Sequence, residues 1–332
     1  MINVDFHNYN PKIDAEIYKK TGYCIGPSLI EEEEINHLRN LIESSFSKKN
    51  YPRGISVFDL ENEEAIKIIL KILNSEWINS VLKKIESAHK TPVSILPTFD
   101  IQRNYHVDRL NAPGIGWHRD CGGELEYDYC KKILDNDSYV FGKIGIYLQN
   151  NEEYGGSIDL IPYSHKYTSN KKWISKKIYH IPLKILKSIQ ICFPKIYKLF
   201  SESLSMKLIR AKKLFPKKAS PVFFSSKMIH RGSPILDKVR NEVSFLDKFQ
   251  AKTPKTKTKF SIYTHFGSSI AVDSYMYDRL KRGITAEIDG RGSLELKRWI
   301  KEQKILEDLS PKLGLMIKNI LDPIVNQYNK FV

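Results

Sequence analysis

At 332 residues with 41% hydrophobic content, the chain can bury one large core with additions, and it is neither a disordered nor a fibrous sequence. No apolar run is long enough to cross a bilayer, the first ten residues lack the basic and apolar regions of a signal peptide, and four cysteines without a CxxC pair argue against a disulfide scaffold or structural zinc finger. A cytoplasmic protein with free thiols is the expectation. The net charge of +15 is concentrated, because between His165 and Lys218 there are 15 Lys or Arg residues and a single acid, Glu202, so that segment carries +14.

Residues 1–95 read as mainly helical. Glu31 to Phe46 sets Ile35, Leu38, Leu41 and Ile42 near helical spacing behind an acidic first turn, with Ser28 as a cap, and Ala65 to Leu73 and Trp77 to Ile85 repeat the pattern. From Val93 the character changes to short runs with alternating apolar positions: 94–103, 139–149, 156–161, 221–229 and 239–249. Glycine-containing turns separate them. Such a pattern predicts an antiparallel double sheet, and a jelly roll is the simplest fold of that kind that surrounds a metal.

The basic segment interrupts these strands. Its centre, Leu183 to Phe200, has apolar residues at helical spacing with lysines interleaved, Pro194 kinks or ends that helix, and a second helix is expected from Ser203 to Leu214. It reads either as a helical lid with a solvated lysine face or as an amphipathic segment on an anionic membrane. The tract 251–259 reads as a loop or weak edge strand. Helices are expected at 274–282 and 294–321, the latter interrupted by Pro311 and stopped before Pro323. The resulting organisation is an N-terminal helical flank (1–95), a core (96–262) interrupted by the basic insert (166–218), and a C-terminal helical extension (263–332).

The chemistry centres on Trp117-His118-Arg119-Asp120. A histidine and a carboxylate two apart on an extended segment point to one face, so both can reach one ion. The best third ligand is His230, at the end of a run that contains Phe223-Phe224. Two imidazoles and one carboxylate leave open positions on an octahedral ion, the ligand set of non-haem Fe(II) oxygenases. A bare His-x-acid pair is weak, and His106-Val107-Asp108 is a second instance, but there Arg109 offers Asp108 a cation without metal.

These elements occur in an order that resembles the phytanoyl-CoA dioxygenase family of Fe(II)- and 2-oxoglutarate-dependent oxygenases, over much of residues 99–249. Gln102 stands where the family has an upstream Gln, and Trp117 to Asp120 matches its Trp-His-x-Asp element. Gly155-Gly156 running to Pro162-Tyr163-Ser164-His165-Lys166 matches a glycine turn and Pro-Gly-Ser-His-Lys run, with Tyr163 replacing the glycine. Phe223-Phe224 to His230 and then Arg240 complete it.

The resemblance implies a mainly β fold with flanking α, a double-stranded β-helix core, and Fe(II), 2-oxoglutarate and dioxygen as cofactor and cosubstrates. It makes His118, Asp120 and His230 the metal ligands. Arg240 would grip the far carboxylate of 2-oxoglutarate, Gln102 would hydrogen-bond it, and Ser233 or Ser244 would support it. Trp117, Arg109 and Asp159 are candidate substrate contacts. The presence of Asp120 favours hydroxylation over halogenation.

The basic insert suggests an anionic small molecule or lipid-linked sugar, such as a lipopolysaccharide sugar, as substrate, with peripheral attachment at the inner face of the membrane. An acyl-CoA or natural-product hydroxylase of the same chemistry is the first rival. A nucleic-acid oxygenase ranks lower, because the insert's aromatics fall on its apolar helical face. A non-catalytic jelly-roll ligand-binding protein is the rival of another class.

Overall fold

The first helix shows how local sequence sets its own limits. Asn10 accepts a hydrogen bond from the Lys12 amide, Pro11 opens α1 (Pro11–Thr21), and Gly22 closes it at φ 90° with its N–H returned to the Tyr18 carbonyl. A Cβ at Gly22 would also strike Met228 and His165, so glycine is required twice over. This computed structural model describes residues 10–49, 54–96, 98–104, 117–120, 139–151, 157–166, 181–192, 206–233, 259–272, 274–275 and 292–328.

After β1 (Tyr23–Ile25), α2 (Glu32–Lys49) and β2 (Gly54–Ser56) come α3 (Glu63–Leu73), capped by Asn62, and α4 (Glu76–His89), capped by Ser75. The expected helical runs at 65–73 and 77–85 fall within α3 and α4, and that at 31–46 falls within α2 except for Glu31. Their apolar stripes, among them Leu38, Ile42, Ile69, Leu73, Ile78 and Val81, are fully buried. Each such aliphatic side chain contributes about 1.5–3 kcal/mol by leaving water.

The stripes pack on one face of a seven-stranded antiparallel sheet of order β1-β8-β5-β10-β4-β2, in which β3 also pairs with β10. Its remaining strands are β3 (Val93–Ile95), β4 (Asp100–Asn104), β5 (Phe141–Tyr147), β8 (Pro221–Ser225) and β10 (Lys259–Ser268). A second antiparallel sheet, of order β7-β6-β9, consists of β6 (Ile158–Leu160), β7 (Lys212–Lys213) and β9 (His230–Gly232). The chain is thus a mixed fold of helices and antiparallel sheet.

Alternation divides the large sheet. Ile101, Ile144, Ile146, Phe223, Phe260, Ile262 and Phe266 join the helices in the main core. Tyr147, Val222, Phe224 and Tyr263 turn the other way and pack with Ile158 and Leu160 of the small sheet. The two sheets therefore face each other across a second, smaller core, and the site opens there.

Three expectations change. β10, the centre of the large sheet, runs on to Ser268, past the 262 boundary at which a helical extension is expected, and its signal is the alternation of Phe260, Ile262, Thr264 and Phe266; the lysine–threonine tract before it, 251–258, lies outside the described residues. The helix expected over 203–214 gives way after a short turn, since Arg210 adopts φ 57°, and Lys212 and Lys213 then pair with Leu160 and Asp159 as β7. At the C-terminus, α6 (Gly292–Leu309) and α7 (Pro311–Tyr328) form as expected, but Pro323 lies inside α7 rather than ending it. Within the insert, α5 (Ile181–Cys192) forms, and 193–200 of the helix expected over 183–200 lie outside the described residues. The run 239–249 lies outside the described residues, as does all but the start of the helix expected at 274–282. Among the described residues no helix is long and apolar enough to cross a membrane.

Candidate metal centre

His118 and His230 are joined by their backbones. The His118 amide donates to the His230 carbonyl at 3.0 Å, and the His230 amide returns the bond at 2.9 Å. Residues paired in this way project their side chains to one side, and the two imidazole centroids stand 4.4 Å apart. Asp120, two residues on from His118, turns to the same side. His118 Nε2 is 3.9 Å from Asp120 Oδ1, and His230 Nε2 is 3.8 Å from Asp120 Oδ2. One ligand atom from each of the three lies within 4.8 Å of the others.

The side chains are prepared for a cation. His230 Nδ1 is 3.0 Å from the Met228 carbonyl, which can only accept, so Nδ1 carries the proton and Nε2 presents its lone pair to the site. Burial, with smaller contributions from the charges of His118 and Lys143 and against the pull of Asp120, lowers the His230 pKa to about 4. His230 is thus neutral at physiological pH, the form that binds metal. On an ion with bonds of about 2.1 Å, adjacent ligand atoms stand about 3 Å apart, so the observed spacings close onto one ion with sub-ångström shifts. Two imidazole nitrogens and a carboxylate oxygen suit a divalent first-row metal with positions left open. The residues fit the ion.

Lys143 completes the charge balance. From β5 its Nζ donates to Asp120 Oδ1 at 2.9 Å. Burial alone would raise the Asp120 pKa, but the charges of Lys143, His230 and His118 outweigh it and hold the carboxyl well below the usual range. Burial would likewise lower Lys143, and the charge of Asp120 with its hydrogen bond more than reverses this. Lys143, Gly145 and Tyr147 share one face of β5, with Tyr263 opposite Gly145 and Ser261 opposite Tyr147. Gln102 of β4 lies beside Ser261 on the same face. The Tyr263 and Tyr147 hydroxyls are 3.4 Å apart, and a Cβ at Gly145 would stand 3.0 Å from the Tyr263 ring. This polar wall is lined by a cation, two phenols and an amide. Lys143, Tyr147 and Tyr263 were not among the residues singled out from sequence; their signal is the shared inward parity on β5 and β10.

The other sequence candidates are dispersed. Trp117 packs against Ile161 and Ile229, with the Arg231 guanidinium 4.8 Å above its ring, on the side of the strand away from His118. Asp159 is fully buried and pairs across β6 and β9 with Arg231, whose Nε and Nη2 lie 2.9 and 2.8 Å from Oδ2. The Ser233 hydroxyl donates to the other Asp159 oxygen at 2.7 Å. By alternation, Arg231 and Asp159 face away from His230 and Leu160. Arg109, Arg240 and Ser244 lie outside the described residues.

No family model matches the chain, and no curated protein does. Among solved structures, the chain is similar in shape to the non-heme alpha ketoglutarate dependent carbocyclase SnoK from nogalamycin biosynthesis, at 11% identity and a TM-score of 0.46, covering 79% of this chain and 85% of that one. It is similar to EvdO2 from Micromonospora carbonacea var. aurantiaca complexed with 2-oxoglutarate, at 11% identity and a TM-score of 0.43, covering 79% and 92%. HygX from Streptomyces hygroscopicus, with nickel and 2-oxoglutarate bound, stands at 12% identity and a TM-score of 0.44, covering 77% and 86%.

Proposed function

We propose that the chain is an Fe(II)- and 2-oxoglutarate-dependent dioxygenase that hydroxylates an unactivated C–H bond of an anionic small molecule or lipid-linked sugar. The observation that carries the reading is the His118, Asp120 and His230 group, whose ligand atoms lie within 4.8 Å of one another between two facing antiparallel sheets. In this reading the sheets are the two halves of a double-stranded β-helix, and the chain is a distant member of the phytanoyl-CoA dioxygenase type. Three protein ligands leave room on an octahedral ion for a chelating 2-oxo acid and dioxygen.

Each residue then has a task. His118, Asp120 and His230 hold the iron. Lys143, Tyr147, Tyr263 and Gln102 form a wall of donors suited to the carboxylates of the cosubstrate, and Arg240 is assigned to its far carboxylate. Leu160, Val222 and Phe224 keep the inner side apolar. Bound iron supplies the coupled oxidation: 2-oxoglutarate and dioxygen become succinate and carbon dioxide, and one oxygen atom enters the substrate C–H bond. The basic insert, which follows β6 in the chain and contributes β7 before β8 begins, supports an anionic substrate.

The test is succinate formation by purified protein with Fe(II), ascorbate and 2-oxoglutarate, first alone and then with acidic glycolipids, sugar phosphates and acyl-CoA. Iron-dependent turnover that Asp120→Ala abolishes and an anionic glycan accelerates supports the reading. Acceleration by acyl-CoA alone would move the substrate to the rival class.

A further inference from the structure

α5 carries a row of isoleucines on which no other described element packs extensively. Ile181, Ile185 and Ile189 recur every four residues, followed by Cys192, and so lie along one side of the helix. Ile181 is 42% exposed and Ile185 54%. With Lys184 and Ser188 these residues line a groove of about 350 Å³. None of the other described elements packs extensively on α5.

The same stretch holds further exposed apolar groups. Leu208 and Phe215 stand in solvent, so four of the eight large apolar side chains exposed among the described residues fall between His165 and Lys218, about one-sixth of the chain. That stretch also carries +14 of the net +15. Lys184, Lys207, Arg210, Lys212 and Lys217 are all exposed. Exposed aliphatic groups are ordinarily scattered singly. Here they are gathered in the segment where the cationic charge is gathered.

We infer that α5, with the exposed cations described in the same insert, Lys184, Lys207, Arg210, Lys212 and Lys217, forms a docking surface for an anionic lipid bilayer. A short helix with an aliphatic row and flanking lysines lies in the plane of the headgroups, the apolar side chains entering the acyl boundary while the ammonium groups meet lipid phosphates. The 12 described residues of α5 reach about 18 Å, enough to lie on a membrane. A second copy of the chain is disfavoured as the occupant, because each copy would bring +14 to the contact. Nucleic acid is disfavoured because three of the four large apolar groups exposed among the described residues of this stretch are aliphatic, whereas bases stack on aromatic rings.

The experiment is cosedimentation of the full chain with vesicles of phosphatidylcholine alone and with roughly one-third phosphatidylglycerol, which supply anionic surface of the needed kind. It is run for wild type, for the pair Ile181→Ser and Ile185→Ser, and for the triple Lys184→Gln, Lys207→Gln and Lys217→Gln. All five positions are exposed, so the fold is retained, which circular dichroism verifies. The expected result is selective binding to the anionic vesicles, weakened by added salt, with the serine pair reducing partition by roughly tenfold or more. The lysine triple reduces it as well, and Fe(II) binding is unchanged in every variant. Wild type that stays in solution with anionic vesicles overturns the inference, and so does a serine pair that partitions like wild type. A wild-type dimer in solution that the serine pair converts to monomer would assign the face to a second copy, and tight binding to a labelled oligonucleotide that the serine pair loses would assign it to nucleic acid.

Discussion

Lys143 Nζ lies 2.9 Å from Asp120 Oδ1, although the two residues are 23 apart in sequence and on different segments. The ammonium therefore occupies one oxygen of the carboxylate that a metal ion held by the group would also need. Without metal, Lys143 is the cation that makes a buried Asp120 tolerable; with metal, the two cations compete for it. Lys143→Met should then have opposite effects on the two states. The metal-free protein should lose about 3 kcal/mol, the cost of leaving one partner of a buried pair alone. The stabilisation added by Mn(II) or Fe(II) should be larger than in wild type, since binding no longer displaces an ammonium. Thermal melts with and without metal check both halves, and an unchanged metal-free melting temperature would contradict the account.

The pair of Asp159 and Arg231 predicts a loss of stability without a loss of metal binding. Both side chains are almost wholly buried, and they point to the side of β6 and β9 opposite His230. Asp159→Asn leaves a buried guanidinium without its counter-charge and should cost about 3–5 kcal/mol in urea unfolding. Metal affinity under native conditions should stay within about threefold of wild type, an expectation that follows from the separation of the two faces. A large fall in metal affinity at unchanged stability would place Asp159 in the site instead.

Asp14 on α1 gives a pH signature. Burial, partly offset by the neighbouring Trp77 indole N–H, raises its pKa from 3.8 to about 6. The folded state thus holds this proton more tightly than the unfolded chain. Its contribution favours folding below pH 4 and is lost as the pH rises to about 6, after which the buried carboxylate is a net cost. Asp14→Asn should stabilise the protein by about 1–2 kcal/mol at pH 7.5 and by little or nothing at pH 4. Urea midpoints at the two pH values decide it.

The three residues of the candidate metal group were legible because their signal is local. His118 and Asp120 share a face by the period of an extended chain, and His230 follows the apolar run of β8. What joins them, the backbone bridge between His118 and His230, is a long-range contact with no local mark. Lys143 was not legible for a related reason. In Phe141-Gly142-Lys143-Ile144-Gly145 it occupies the polar parity of a strand, which ordinarily means solvent; here a second sheet lies over that face and turns it inward. The same holds for Ser261 and Tyr263 on β10. Two lysines as a strand also defy propensity, and Lys212 and Lys213 are held in β7 only by pairing with β6. Asp159 reads as polar in sequence, and its burial depends on Arg231, which lies 72 residues away.

The central claim is that His118, Asp120 and His230 hold an iron that 2-oxoglutarate chelates. Anaerobic titration of metal-free protein with Fe(II) and then 2-oxoglutarate, followed by visible absorption, tests it most directly. The His118 side chain is 48% exposed, so His118→Ala removes a ligand without disturbing the core. The predicted result is a metal-to-ligand charge-transfer band that saturates at one equivalent of iron in wild type and is absent in the variant. No band in wild type, or a band of equal strength in His118→Ala, would contradict it.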